Sequence, residues 1–73
     1  MNYYYDIHIL IIGGMKMLPK DPMMLLSFTN TQLRDHYKSL DEFCENYHVT
    51  REYMIETLKT IDYEYDENLN KFL

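Results

Sequence analysis

The sequence predicts a mainly α domain, three short helices followed by a C-terminal β-hairpin. Three observations carry that reading. Asp21-Pro22, Ser39 and Thr50 are helix-start signals. Each is followed by apolar residues at three- and four-residue intervals. After Ile61 the apolar period changes from helical to two, the pattern of a strand.

Each element follows from its residues. Pro19 and Lys20 form an extended lead-in, and the Asp21 carboxylate can accept the orphan amides of a helix that begins at Pro22. Met23, Leu26, Leu33 and Tyr37, with Met24, Leu25 and Phe28 alongside, carry that helix to about Tyr37. Asn30, Gln32, Arg34 and Asp35 are expected on its wetter face. Ser39-Leu40-Asp41-Glu42 is a capping box, in which Ser39 caps the Glu42 amide and Glu42 reaches back to the Ser39 amide. Behind it Leu40, Phe43, Cys44 and Tyr47 recur at helical spacing. Thr50 caps a third helix whose Met54, Ile55, Leu58 and Ile61 are expected to face inward. Leu26, Leu33, Phe43, Leu58 and Ile61 are the expected most-buried positions. Tyr63 and Tyr65 then alternate with Glu64 and Asp66. Glu67 to Asn70 supply turn residues, and Lys71, Phe72 and Leu73 complete a hairpin in the position of a wing.

The first sixteen residues differ from the rest. Tyr3, Tyr4 and Tyr5 lead into an apolar run from Ile7 to Ile12, ended by Gly13 and Gly14. The run is far shorter than the roughly 20 residues needed to cross a bilayer. It also lacks the basic start and small-residue cleavage site of a secretory signal. Two readings stay open: an N-terminal edge strand over about residues 3–12 that joins the C-terminal hairpin, or a disordered extension, against a non-native stretch with translation starting at Met15 or Met17. The late start is the favoured expectation, because a bare β-prone segment is an aggregation hazard. Gly13-Gly14 is also what an in-frame, purine-rich ribosome-binding sequence would encode. Residues 17–73 are then a single small helical domain.

Composition bounds the function. A chain of 73 residues has room for one domain, and such a domain buries only about 60% of its unfolded surface. Seven Lys and Arg stand against 12 Asp and Glu, a formal charge of -5, which argues against a chain built to neutralise phosphates. One Cys allows no internal disulfide, so a cytoplasmic domain is expected. Gly13 and Gly14 are its two glycines, which excludes a glycine-rich phosphate loop.

Ser39 to Leu58 resembles the second and third helices of bacterial helix-turn-helix proteins. Cys44 takes the small apolar position between those helices. His48 stands at the turn position usually given to Gly because φ is positive there. A closer likeness covers nearly all of Leu18 to Leu73. It rests on Leu18-Pro19-Lys20-Asp21-Pro22, Met24-Leu25-Leu26-Ser27, Asn30-Thr31, Leu33-Arg34-Asp35, Tyr37, Tyr63-Glu64-Tyr65-Asp66 and Asn70-Lys71-Phe72. Together these resemble a family of very small bacterial proteins known as a domain of unknown function, number 4250. The resemblance implies no activity, cofactor or site residues, and it begins near Met17. Two departures stand out. Asp62 sits where Gly is expected before the hairpin, and Thr50 where Asp is the commoner cap.

Candidate chemistry reduces to interaction. Cys44 and His48 are four apart with His36 nearby, but structural zinc wants four ligands, and Cys44 is read as an inert buried thiol. Asp62, Glu64 and Asp66 alternate as in a calcium loop, yet Glu67 replaces its Gly and Leu73 stands at its bidentate Glu position. No spacing of nucleophile, base and orienting group is present, so no catalytic residue, metal or cofactor is expected. The expectation is a non-catalytic module that binds another protein or a second copy of itself, with no membrane contact. Its candidate surface is Arg34, Arg51, Tyr53, Thr57 and Lys59. The alternative is a winged helix-turn-helix DNA-binding regulator using Arg51, Tyr53, Thr57 and Lys59, weakened by Glu52, Glu56 and the acidic hairpin.

Overall fold

The computed structural model describes residues 17–73, and the expectations for residues 1–16 lie outside them. The described residues form α1 (Pro22–Asp35), α2 (Leu40–Tyr47), α3 (Arg51–Lys59), β1 (Tyr65–Asp66) and β2 (Lys71–Phe72). All three expected caps form. The Met24 N–H donates to the Asp21 carboxylate at 3.0 Å, the Glu42 N–H to Ser39 Oγ at 3.1 Å and the Tyr53 N–H to Thr50 Oγ1 at 3.0 Å. The reciprocal half of the capping box is displaced by one residue. Glu42 Oε1 accepts from the Lys38 amide at 2.6 Å, not from Ser39. Ser39 is extended, with φ -154 and ψ 162, and the chain just ahead of it lies within reach of the carboxylate.

Helix α1 ends two residues before the expected Tyr37. The His36 and Tyr37 amides both donate to the Gln32 carbonyl, at 2.7 and 3.1 Å, which closes the helix. The half-buried Tyr37 ring packs edge-on against Phe43 and Tyr47. The phase of α1 also differs from expectation. Its buried residues are Leu25, Leu26, Phe28, Thr29, Gln32 and Leu33, a stripe centred on Leu25 and Gln32, one heptad apart. Met23, two residues before Leu25, therefore falls on the opposite side and is 55% exposed, with Met24 at 50%. Gln32, expected in water, is buried. Of Met23, Met24 and Met54, which the sequence places on the apolar spacing of their helices, Met54 is the buried one.

The core joins all three helices and the hairpin. Leu25, Leu40, Phe43, Met54 and Leu58 are fully enclosed, with Phe28, Leu33 and Phe72 nearly so. Ile55 and Ile61 are only half-buried against this cluster, because Met54 and Leu58 take the inward direction of α3. Phe43 and Tyr47 stack at 4.6 Å, and Phe28 meets Tyr47 edge-on at 5.6 Å. Burial, reinforced by Tyr37, pushes the Tyr47 phenol up to about 12. Cys44 lies buried between α2 and its neighbours, as its small-residue position requires.

Tight turns connect the elements. His48 adopts φ 55 and ψ 46, the left-handed conformation expected of a Gly substitute, and the Val49 N–H donates back to the Cys44 carbonyl at 3.1 Å. Asp62 has φ 66, so the position where Gly is expected does demand positive φ. In an Asp that conformation costs on the order of 1 kcal/mol. Past this corner the hairpin is antiparallel, pairing Tyr65 with Phe72 and Asp66 with Lys71. Glu64 and Leu73 exchange both backbone bonds at 3.0 and 2.9 Å. The Asp66 carboxylate accepts from the Leu69 amide at 2.9 Å, organising the turn.

Two asparagines dock the hairpin on α1. Asn30 Nδ2 donates to the Phe72 carbonyl at 2.9 Å while the Phe72 N–H donates to Asn30 Oδ1 at 2.8 Å. Asn70, at φ 54, donates to the Leu33 and Tyr37 carbonyls at 3.2 and 2.9 Å. Its Oδ1 accepts from the Tyr65 hydroxyl, which in turn accepts from the Leu40 amide at 3.2 Å. One side chain thus joins the end of α1, the hairpin turn and the start of α2.

Three stability measurements check this packing. Leu58→Ala removes a fully enclosed side chain at the centre of the core and should cost about 2–5 kcal/mol in a urea titration; an unchanged midpoint would refute the packing of α3. Thr29 is fully buried, and its Oγ1 has no partner among the described residues. Thr29→Val removes that desolvated hydroxyl at nearly constant volume and should raise stability by about 1 kcal/mol. Asn70→Ala deletes three hydrogen bonds and leaves a Cβ residue at positive φ, so a loss of about 2–5 kcal/mol is expected. Asn70→Gly should restore only the backbone share of it.

Candidate functional site

A concavity outside the core lies between α3 and β1. Its wall on one side is the face of α3 that carries Arg51, Ile55 and Lys59. These residues recur every four positions and so line one side of the helix. Its other wall is Tyr63, Glu64, Tyr65 and Glu67 from the hairpin, and the groove encloses about 510 Å³. Ile55, Tyr63 and Tyr65 are half-buried and give it an apolar floor. Lys59 and Glu64 stand at one end, Arg51 and Glu67 at the other.

Arg51 is already committed. Its guanidinium contacts Asp41 Oδ1 at 3.1 Å and Glu67 Oε2 at 3.2 Å, and lies 5.6 Å from the centre of the Tyr65 ring. It therefore ties the start of α2 and the hairpin turn to the first turn of α3. The two carboxylates are largely exposed, 78% and 76%, so each pair is worth about 0–1 kcal/mol. What matters more is charge: a cation with two carboxylates upon it has little attraction left for a phosphate. Burial pushes the Tyr65 phenol up, offset in part by the Leu40 amide and by Arg51. It stays neutral and serves as a relay of hydrogen bonds.

The expected surface of Arg34, Arg51, Tyr53, Thr57 and Lys59 is divided by the structure. Arg51 and Lys59 share the groove. Tyr53 and Thr57 lie on another flank of α3, with Tyr53 42% exposed. Arg34 is on α1, where its Nε lies 2.9 Å from Asp35 Oδ1. It borders a second hollow of about 460 Å³ with Asn30, Thr31, Leu33, Leu69, Asn70 and Lys71. The Arg34 guanidinium holds the exposed Asp35 carboxyl below its ordinary value. Sequence reasoning missed Ile55 as a half-open floor residue, having placed it inside. The four-residue step from Arg51 through Ile55 to Lys59 was the signal that could have found it.

Reactive chemistry finds little material here. Cys44 is enclosed, and burial pushes its thiol up, with Asp41 adding to the shift; a reactive thiol needs the opposite. His48, four residues on, is exposed on the turn. Among the described residues no three His, Cys, Asp or Glu side chains are grouped to hold a metal ion. Nor, among them, is any helix long and apolar enough to cross a membrane.

Many residues that carry the family likeness now have structural duties. Asp21 caps α1, Asn30 and Asn70 dock the hairpin, Tyr65 relays between them, and Leu33 and Phe72 fill the core. No curated protein and no solved structure matches the chain. One family model does match, over residues 19–72. The three capped helices and the docked hairpin are therefore the form of that family in this chain, which belongs to the family described as Domain of unknown function (DUF4250).

Proposed function

We propose that this domain is a non-catalytic, cytoplasmic protein-binding module that receives part of a partner in the groove between α3 and the hairpin. The observation that carries the reading is the make-up of that groove. An apolar floor of Ile55, Tyr63 and Tyr65 is rimmed by Lys59 and Glu64, and by Arg51, which Asp41 and Glu67 hold. An apolar centre with a mixed polar rim is the composition of protein interfaces. The module would act as an adaptor, with specificity coming from the shape and charge of the groove.

The same elements would serve a winged DNA-binding regulator, but their charges weigh against it. Helix α3 offers Arg51 and Lys59 outward against Glu52 and Glu56, and Arg51 is neutralised. A regulator of this build would need cations free to displace the counterions of DNA.

Affinity capture from a lysate of the source organism tests the reading, using the wild type, Ile55→Lys and Arg34→Ala. The expected result is a partner held by the wild type and Arg34→Ala and lost with Ile55→Lys, whose fold is checked by its circular dichroism. Absence of any partner above background, or capture indifferent to Ile55→Lys, overturns it. Titration of random duplex DNA at low salt should show no binding. Affinity that falls steeply with added salt would replace this reading with the DNA-binding one.

A further inference from the structure

The two edges of the hairpin are treated differently, and the difference points at the groove. Glu64 and Leu73 exchange both of their backbone bonds, so the next pair, Tyr65 and Phe72, lies opposite without exchanging any. The N–H and C=O groups of that pair turn away from the hairpin. On the β2 side they are closed, because the Asn30 side chain takes both the Phe72 N–H and its carbonyl. On the β1 side the preceding outward amide, Tyr63 N–H, donates to the Leu58 carbonyl at 3.0 Å. Beyond it, among the described residues, the Tyr65 N–H and C=O have no partner. That open donor and acceptor belong to a residue lining the groove.

We propose that an extended segment of another protein adds to β1 as a third strand, its backbone pairing with Tyr65 N–H and C=O and one apolar side chain resting on Ile55 and Tyr63. The proposal rests on the protein-binding reading above and names the form of the partner. Dimensions agree with it. Arg51 to Lys59 spans about 12 Å at the helical rise, room for about four residues of extended chain. Strand addition takes affinity from main-chain bonds and selectivity from the neighbouring side-chain sites. A second copy of this chain is a poor occupant, since its own β1 edge is recessed beside its own α3 and two grooves do not interlock.

Charge states the chemistry of the segment. Glu64 and Glu67 line the groove with Arg51 and Lys59, and Asp41 reaches Arg51 from α2, so that Arg51 is spanned by two carboxylates and three carboxylates stand around two cations. The whole chain carries -5. A segment with Lys or Arg flanking its apolar residue complements that rim, and an acidic one does not.

The test uses a blocked hexapeptide of alternating Val and Thr with Lys at both ends, titrated into the full-length 15N-labelled chain. Amide shifts should concentrate at Ile55, Lys59, Tyr63 and Tyr65, and saturation should slow hydrogen exchange of the Tyr65 amide at least about tenfold. A peptide N-methylated on alternate amides, and one with Glu in place of both Lys, should each bind at least about tenfold more weakly. Equal binding by the N-methylated peptide overturns strand addition and leaves the protein-binding reading standing. Equal binding by the Glu peptide overturns the charge assignment. Shifts confined to other faces, or none with any peptide, overturn the proposal as a whole. The captured partner and its sensitivity to Ile55→Lys are measured without this peptide, so the two readings fail separately.

Discussion

A hairpin of two-residue strands has almost no stability of its own, and here its existence depends on what α1 offers it. Phe72 enters the core, and the Asn30 amide meets the outward N–H and C=O of that same residue. The amide group of asparagine presents a donor and an acceptor on one plane, much as a neighbouring peptide would. It thus stands in for a third strand where a helix is packed instead. Asn70 performs the complementary service at the turn, giving the frayed end of α1 partners for the Leu33 and Tyr37 carbonyls. Hairpin, first helix and second helix are coupled through these two side chains and the Tyr65 hydroxyl. Displacing any one of them would leave buried backbone groups unsatisfied, which is the costly outcome.

That docking also fixes where a site can exist. Because β2 is closed by α1, the hairpin's one remaining edge turns toward α3, and the Asp62 corner sets the distance between them. The left-handed Asp62 lets the chain reverse within a few residues of Lys59, so the strand runs back beside the helix it has just left. Arg51 then ties the far end, reaching Glu67 across the hairpin turn and Asp41 on α2.

Much of this architecture was legible in the sequence because its signals are local. Asp21-Pro22, Ser39 and Thr50 cap where their chemistry says they should, and His48 takes the positive φ that a three-residue connection between α2 and α3 demands. The failures are equally instructive. Leu25 through Phe28 is apolar or nearly so for a full turn, so local periodicity alone could not say which side faced inward; the hairpin decided it. Gln32 was read as wet because it is polar, yet it shares the stripe of Leu25 and Leu33. Asn30 looked like a surface residue until the strand it pairs with, 42 positions later, came beside it. The candidate surface had the same limitation. Choosing outward positions of α3 by charge gathered Arg51 and Lys59 correctly but added Tyr53 and Thr57 from another flank, since only the path of the hairpin distinguishes the two.

The electrostatic character of the domain follows from the same geometry. A helix-turn-helix unit used on DNA leaves its recognition helix bare so that cations can meet phosphates. Here the hairpin folds down along α3 and brings Glu64 and Glu67 to its side, while α2 supplies Asp41. The result is a helix whose first cation is spent internally and whose face carries an apolar strip. The proposed partner is one that supplies its own backbone bonds and apolar contact, with cations of its own to meet the carboxylates. An extended protein segment has all three, whereas a nucleic acid brings further negative charge to a surface that already has an excess of it.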